Sequence, residues 1–288
     1  MTFRVLQISD THLSRERPFF DVNFDAVVRH VETTAPDLVI NTGDLALDAP
    51  GRPDDLRHAR ERHARLAAPL RTIPGNHDIG DNPYPGRTPK QPVTAATLAV
   101  WRDLFGPDWW TMDVPGWRFV AIDAQLLGTG LPDEAEQWDF LGDALAGTDG
   151  RKVALWTHKP LFVGTPDATP EPDFRYLPVA ERRRLSAMFE GVDLRLVACG
   201  HAHQHVHARH GAAAHVWAPA TAFVLPDRIQ SRVGEKLCGV VEYVFGADDV
   251  TVHLVAPAGI RDLDITDHPG AYGPIAPIDP APAPAPAG

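Results

Sequence analysis

Short apolar runs dominated by Val, Ile and Leu return along the chain, with stretches of helical periodicity between them. Runs of this length read as buried strands, and their alternation with helices is the pattern of a layered α/β domain. They predict strands over 3–8, 37–41, 70–73, 118–123, 152–157 and 194–199. Two further runs, 238–245 and 250–256, are separated only by a turn at 246–249, and predict an antiparallel hairpin that closes the fold. Helices are expected over 23–33, 53–67, 94–105, 133–145 and 179–190. Pro53 followed by Asp54 and Asp55 suits a helix start, because proline presets φ and acids face the positive helix end.

With 288 residues, 44% of them hydrophobic, the chain can bury the core of one large domain, expected over 1–268. From Pro269 the composition falls to Pro, Ala, Gly and little else, so 269–288 reads as a disordered, extended tail. The proline-dense stretches 82–92 and 164–178 read as long semi-rigid loops. A net charge of -11 excludes a general attraction to a nucleic-acid polymer or an anionic membrane, so an anionic substrate must be held by local cations. Cys199 and Cys238 are too few for a disulfide framework, which favours a reduced compartment; their count leaves a single bridge open. No run approaches the roughly 20 apolar residues of a membrane span, and the N-terminus reads as a strand rather than a leader. A soluble, cytoplasmic protein is expected.

Polar clusters fall just past the C-terminal ends of the predicted strands: Asp10-Thr11-His12, Gly43-Asp44, Gly75-Asn76-His77-Asp78, His158 and Gly200-His201-Ala202-His203. In open α/β sheets that rim is where ligands bind. Spaced by two residues, Asp10 and His12, or His201 and His203, point the same way if the backbone is extended. Carboxylate oxygens with imidazole nitrogens suit zinc, iron or manganese, and a glycine before Asp44, Asn76 and His201 allows a sharp exit from the strand. Two cations sharing one carboxylate could activate a bridging hydroxide and clamp the oxygens of an in-line phosphoryl displacement. Each cluster alone is most simply a turn, a cap or a satisfied histidine. Five together are costly unless cations compensate the carboxylates.

At these residues the chain resembles the calcineurin-like metallophosphoesterases, whose ordered blocks are D-x-H, G-D, G-N-H-(D/E), H and G-H-x-H. The resemblance covers about 3–207 and implies a four-layer αββα sandwich with two facing mixed sheets. It also implies two metal ions (Mn, Fe or Zn), one held by Asp10, His12 and His203, the other by Asn76, His158 and His201, with Asp44 bridging. His77 matches the histidine assigned to protonating the leaving alkoxide. Gly-Asn-His-Asp with Ser9–Leu13 is similar to the bacterial branch containing cyclic-nucleotide and glycerophosphodiester phosphodiesterases. The arginine-glycine pair of the protein serine/threonine phosphatases is missing after Asp44. Many relatives of the bacterial branch carry an acid three residues after the bridging aspartate, where this chain has Leu47 and then Asp48, so the group orienting His77 stays open.

The expected activity is hydrolysis of a small phosphodiester, with a phosphomonoesterase or a non-catalytic binding scaffold of the same fold as alternatives. Lys159, Arg175 and Tyr176 are candidate substrate contacts, each weighed against a merely solvated side chain. A small phosphate ester is the expected partner, without nucleic-acid polymer or membrane, and a homo-oligomer is compatible with the sequence. His205, His207, His210 and His215 read as surface or strand histidines, Arg182 to Arg184 as a solvated helix face, and Trp109, Trp110 and Trp117 as core or cap packing.

Overall fold

The computed structural model describes residues 2–84, 88–166 and 173–275. Parts of the two proline-dense loops, 85–87 and 167–172, and 276–288 of the expected tail lie outside the described residues.

Two mixed sheets face one another. The five-stranded sheet contains β1 (Phe3–Ile8), β2 (Leu38–Asn41), β3 (Leu70–Thr72), β10 (Val240–Phe245) and β11 (Val250–Val255), in the order β11-β10-β1-β2-β3. β1, β2 and β3 run parallel, and the expected C-terminal hairpin closes this sheet by adding β10 antiparallel to β1. The six-stranded sheet contains β4 (Trp110–Val114), β5 (Trp117–Ala121), β6 (Lys152–Trp156), β7 (Leu194–Cys199), β8 (Val206–His210) and β9 (Ala213–Trp217), in the order β4-β5-β6-β7-β9-β8.

Alternation along each strand divides the core into layers. Val5, Ile40, Tyr243 and Phe245 meet Trp117, Phe119, Trp156 and Leu196 between the sheets. Leu6, Ile8 and Val39 point outward to α1 (Asp21–Thr34), α2 (Pro53–His63) and α4 (Ala95–Phe105), through Phe24, Val27, Leu56 and Trp101. On the opposite outer face Val120, Leu155 and Val197 pack on α5 (Pro132–Ala146) and α6 (Val179–Met188) through Trp138, Leu141 and Leu185. The expected αββα order is present, with single helical turns α3 (Asn76–Ile79) and α7 (Pro269–Tyr272) near the strand ends.

Differences from the sequence expectations have local causes. β8 is a half-exposed edge strand, Val-His-Ala-Arg-His, with no apolar run to announce it. α2 stops at His63 rather than residue 67. Arg182 is not on a solvated face: it is 1% exposed and donates to Leu161 O, while Arg184 lies over the Trp138 ring. The stretch assigned to the tail begins with ordered structure, since Pro269–Tyr272 is helical and Ala271 is buried. Cys199 and Cys238 are both free and buried. Among the described residues no helix is long and apolar enough to cross a membrane.

Candidate metal centre

The polar clusters named from the sequence come together at one rim. Asp10 and His12 follow β1, Asp44 follows β2 and Asn76 follows β3, all from the five-stranded sheet; His158 follows β6, and His201 and His203 follow β7, from the six-stranded sheet. Three groups of ligating atoms lie within 4.8 Å of one another: Asp10, His12 and His203; His12, Asp44 and His77; and Asp44, His158 and His201.

The contacts between these groups bring ligand atoms close to one another. His12 Nε2 lies 3.2 Å from His203 Nε2, and His203 Nε2 lies 3.3 Å from Asp10 Oδ1. His158 Nε2 is 3.3 Å from Asp44 Oδ2 and 3.1 Å from His201 Nδ1. The rings are held from behind: His203 Nδ1 donates to Phe223 O and His158 Nδ1 to Thr42 O, which turns each Nε2 inward. Asp10 Oδ1 and Asn76 Oδ1 are buried with no hydrogen-bond partner among the described residues. Buried orphan oxygens are rare in native folds, and a divalent cation is the group that oxygen and imidazole lone pairs converging at this range would satisfy. The residues fit the metals the resemblance implies.

The electrostatics of His12 and His201 agree with that fit, while His158 holds a proton against Asp44 that a bound cation would displace. Burial and the neighbouring His77 hold His12 well below the ordinary histidine range, and burial with the adjacent His158 does the same for His201. Both imidazoles are therefore neutral at pH 7, the form that ligates. Burial opposes ionisation of Asp44, yet His158 and His77 outweigh it and keep the carboxyl well below its usual value. Burial also opposes a charged His158, but Asp44 pushes it up to about 9.

The backbone at these positions is not extended. Asp10 (φ 54°), His12 (φ 44°), Asp44 (φ 54°), His201 (φ 65°) and His203 (φ 53°) are all left-handed, accompanied among the described non-glycine residues only by Ala35 and Asp149. Left-handed backbone is unfavourable for L-residues and concentrates at functional sites. The i, i+2 pairs thus converge through two left-handed residues and not through strand alternation. The preceding glycines also differ from expectation. Gly43 has φ 107°, a true left-handed exit, but Gly75 is extended with φ −111°, and a Cβ there would fall 2.2 Å from Asp44 Oδ1. Its missing side chain makes room for the carboxylate.

His77 donates its backbone N–H to Asp44 Oδ1, and its Nδ1 donates to Leu47 O at 2.9 Å, so Nε2 is the nitrogen left for the cavity. The group that orients it is the Leu47 carbonyl rather than Asp48, which accepts from Gln91 instead. Asp78 ties the loops together, accepting from Leu45 N, Ala46 N and Gly75 N; burial and the nearby Asp44 push it up to about 7.

The cavity above these groups has a volume of about 320 Å³, and the described lining includes His12, Asp44, Asn76, His77, His201 and His203 on its floor. Phe174, Phe223, Leu225, Ile265 and Ile275 form an apolar wall, and Arg175 contributes a cation. Of the substrate contacts expected from the sequence, only Arg175 lines this space. Lys159 is 0% exposed and spends its ammonium on Asp81 (2.6 Å), Asn82 (2.7 Å) and Tyr84 Oη (2.9 Å), so it braces the loop beneath the site. Tyr176 packs its ring on Trp217, in a small apolar cluster with Cys199 and Ala202. Two residues not expected from the sequence touch the centre: Phe223 lies against the rings of His12 and His203, and Tyr272 Oη reaches His12 Nδ1.

The chain is 28% identical over 278 residues to the 3′,5′-cyclic adenosine monophosphate phosphodiesterase CpdA of Pseudomonas aeruginosa, covering 91% of this chain and 85% of that protein. It is also 28% identical over 187 residues to the serine/threonine-protein phosphatase CPPED1 of Danio rerio, covering 61% and 56% respectively. In three dimensions it resembles the purple acid phosphatase PPD1 of yellow lupin seeds, with a TM-score of 0.68 at 16% identity, over 92% of this chain and 53% of that one. The sequence pattern of the calcineurin-like phosphoesterases matches residues 3–205, and with the centre described above the chain belongs to that family.

Proposed function

We propose that this protein is a metal-dependent phosphodiesterase acting on a small diester, a cyclic nucleotide before a glycerophosphodiester. The observation that carries the reading is the convergence of inward-facing ligand atoms from Asp10, His12, Asp44, Asn76, His158, His201 and His203, with two orphaned buried oxygens among them. Asp10, His12 and His203 would hold one cation and Asn76, His158 and His201 the other. Asp44 would serve both; its Oδ2 lies 4.0 Å from His12 Nε2 and 3.3 Å from His158 Nε2. Bound cations would supply Lewis-acid activation of water and neutralise phosphoryl charge.

The chain's own groups account for the remaining steps. The His77 backbone amide fixes Asp44, and a proton carried at His77 Nε2 can pass to the departing oxygen, a transfer worth about 10²–10⁴-fold. Arg175 offers charge to a phosphate. The apolar wall gives a nucleobase surface to cover, whereas glycerol would leave it wet, and the similarity to a cyclic-AMP phosphodiesterase supports the same choice.

The test is hydrolysis of bis(p-nitrophenyl) phosphate, p-nitrophenyl phosphate, 3′,5′-cyclic AMP and glycerophosphocholine by Mn-reconstituted protein and by Asp44→Ala. Diesterase activity that falls at least about 100-fold in the variant supports the site, as loss of a direct ligand should exceed the 10–100-fold cost of outer-shell changes. The similarity to a protein phosphatase favours a monoesterase as the second reading. Turnover of p-nitrophenyl phosphate alone would select it, and two bound metals with no turnover would select a non-catalytic scaffold.

A further inference from the structure

After β11 the chain returns to the mouth of the centre. Ile265 and Ala271 are buried with Phe20, Leu47, Phe223 and Leu225, and Tyr272 and Ile275 pack on the same cluster. Pro269 starts the helical turn α7 and Gly273 (φ 77°) ends it, which leaves Tyr272 beside the metal centre. Its hydroxyl lies 2.7 Å from His12 Nδ1 and 3.2 Å from Leu47 O.

Leu47 O is also the acceptor that orients His77. With His12 Nε2 turned toward His203 and the carboxylates, the imidazole proton sits on Nδ1 and is donated to Tyr272 Oη, whose own proton goes to Leu47 O. A chain of hydrogen bonds therefore runs from His12 through Tyr272 to the carbonyl that holds His77. Outer groups of this kind fix the tautomer and orientation of a ligating histidine.

We propose that Tyr272 is a positioning residue for His12 that sets how tightly the Asp10–His12–His203 position holds a divalent cation, an inference that rests on the metal reading above. The segment after β11 is then part of the centre.

The experiment is Mn²⁺ titration calorimetry on full-length wild type, Tyr272→Phe and His12→Ala, with the visible spectrum of the Co²⁺-loaded proteins and the melting temperature of each metal-free form. Tyr272→Phe keeps the ring and removes only the hydroxyl. Two cation sites in wild type, with one of them weakened about 10-fold or more in Tyr272→Phe and a changed Co²⁺ spectrum, establish the role. A metal-free melting temperature that stays put separates positioning from loss of packing. Tyr272→Phe binding both cations as wild type does, with the same Co²⁺ spectrum, overturns the inference while leaving the metal reading intact. Wild type that binds no Mn²⁺ overturns both. If Tyr272→Phe melts early, the Co²⁺ spectrum of the folded fraction at low temperature decides.

Discussion

The Nε2 atoms of His12 and His203 face each other at 3.2 Å while the Nδ1 atoms behind them are engaged by Tyr272 and Phe223. Two imidazole lone pairs at that distance repel unless a cation lies between them. Chelator-treated protein should melt below Mn-loaded protein. A ligand at 100 times its Kd adds about 2.7 kcal/mol, or about 4–5 °C for a chain of 288 residues. His203→Ala should lose much of that gain. Melting curves indifferent to chelator and to Mn²⁺ would sink the metal reading.

His77 is tied by its amide to Asp44 and by Nδ1 to Leu47 O, which leaves Nε2 for the substrate. His77→Ala should keep its metals and lose about 10²–10⁴-fold in kcat on 3′,5′-cyclic AMP. The loss should shrink for bis(p-nitrophenyl) phosphate, whose phenolate leaves without a proton. Equal losses on both substrates would remove His77 from proton transfer.

The three donors of Lys159 are matched by Asp81, Asn82 and Tyr84, in a fully buried position. Burial opposes its charge, but Tyr84 and Asp81 outweigh it and hold the ammonium above its ordinary value. Lys159→Met leaves the partly exposed Asp81 without its partner and should cost about 1–3 kcal/mol, read in urea denaturation. The KM of the metal-loaded enzyme should change less than for Arg175→Ala. A stable Lys159→Met with a raised KM would return Lys159 to the list of substrate contacts.

His63 is neutral and satisfied, with Nδ1 donating to Ala59 O and Nε2 accepting from Asn41 at 2.8 Å. Burial lowers it to about 4, while in the unfolded chain it titrates near about 6.5. The unfolded state therefore binds the extra proton, so the stability this group contributes is complete above pH 6.5 and is lost as the pH falls toward 4. The slope is about 1.4 kcal/mol per pH unit for one proton. Urea midpoints at pH 7, 5.5 and 4.5 should converge between wild type and His63→Gln as the pH drops. Parallel curves would mean that His63 takes up its proton in the folded state as readily as in the unfolded one.

What the sequence made readable was chemistry placed at strand ends. Asp10, Asp44, Asn76, His158 and His203 could be named because each follows a short apolar run that reads as a buried strand and falls in an ordered block of the family resemblance. Their left-handed backbone was hidden, since Asp-Thr-His and His-Ala-His contain nothing that separates it from an extended strand. Lys159 next to His158 looked like a cation at the site, but its side chain turns to a loop some 75 residues away in sequence, a pairing no local pattern encodes. Tyr272 was concealed for a different reason. It lies in a stretch whose Pro and Gly content suggests no structure, and its order comes from Phe20, Leu47 and Phe223, all remote in sequence.

The central strand of the five-stranded sheet is β1, and one of its two edges is filled by β10 in a register from Phe3↔Phe245 to Gln7↔Val241. β1 leaves the ribosome long before β10 and must therefore wait for it. Through most of synthesis β1 can pair only with β2, and its other edge is a sticky template for any extended chain nearby. Asp10 and His12 sit at the tip of that waiting strand, so the cation pocket should be among the last features to mature on a newborn chain. C-terminal truncations that remove β10 should then yield aggregates and not a smaller working enzyme.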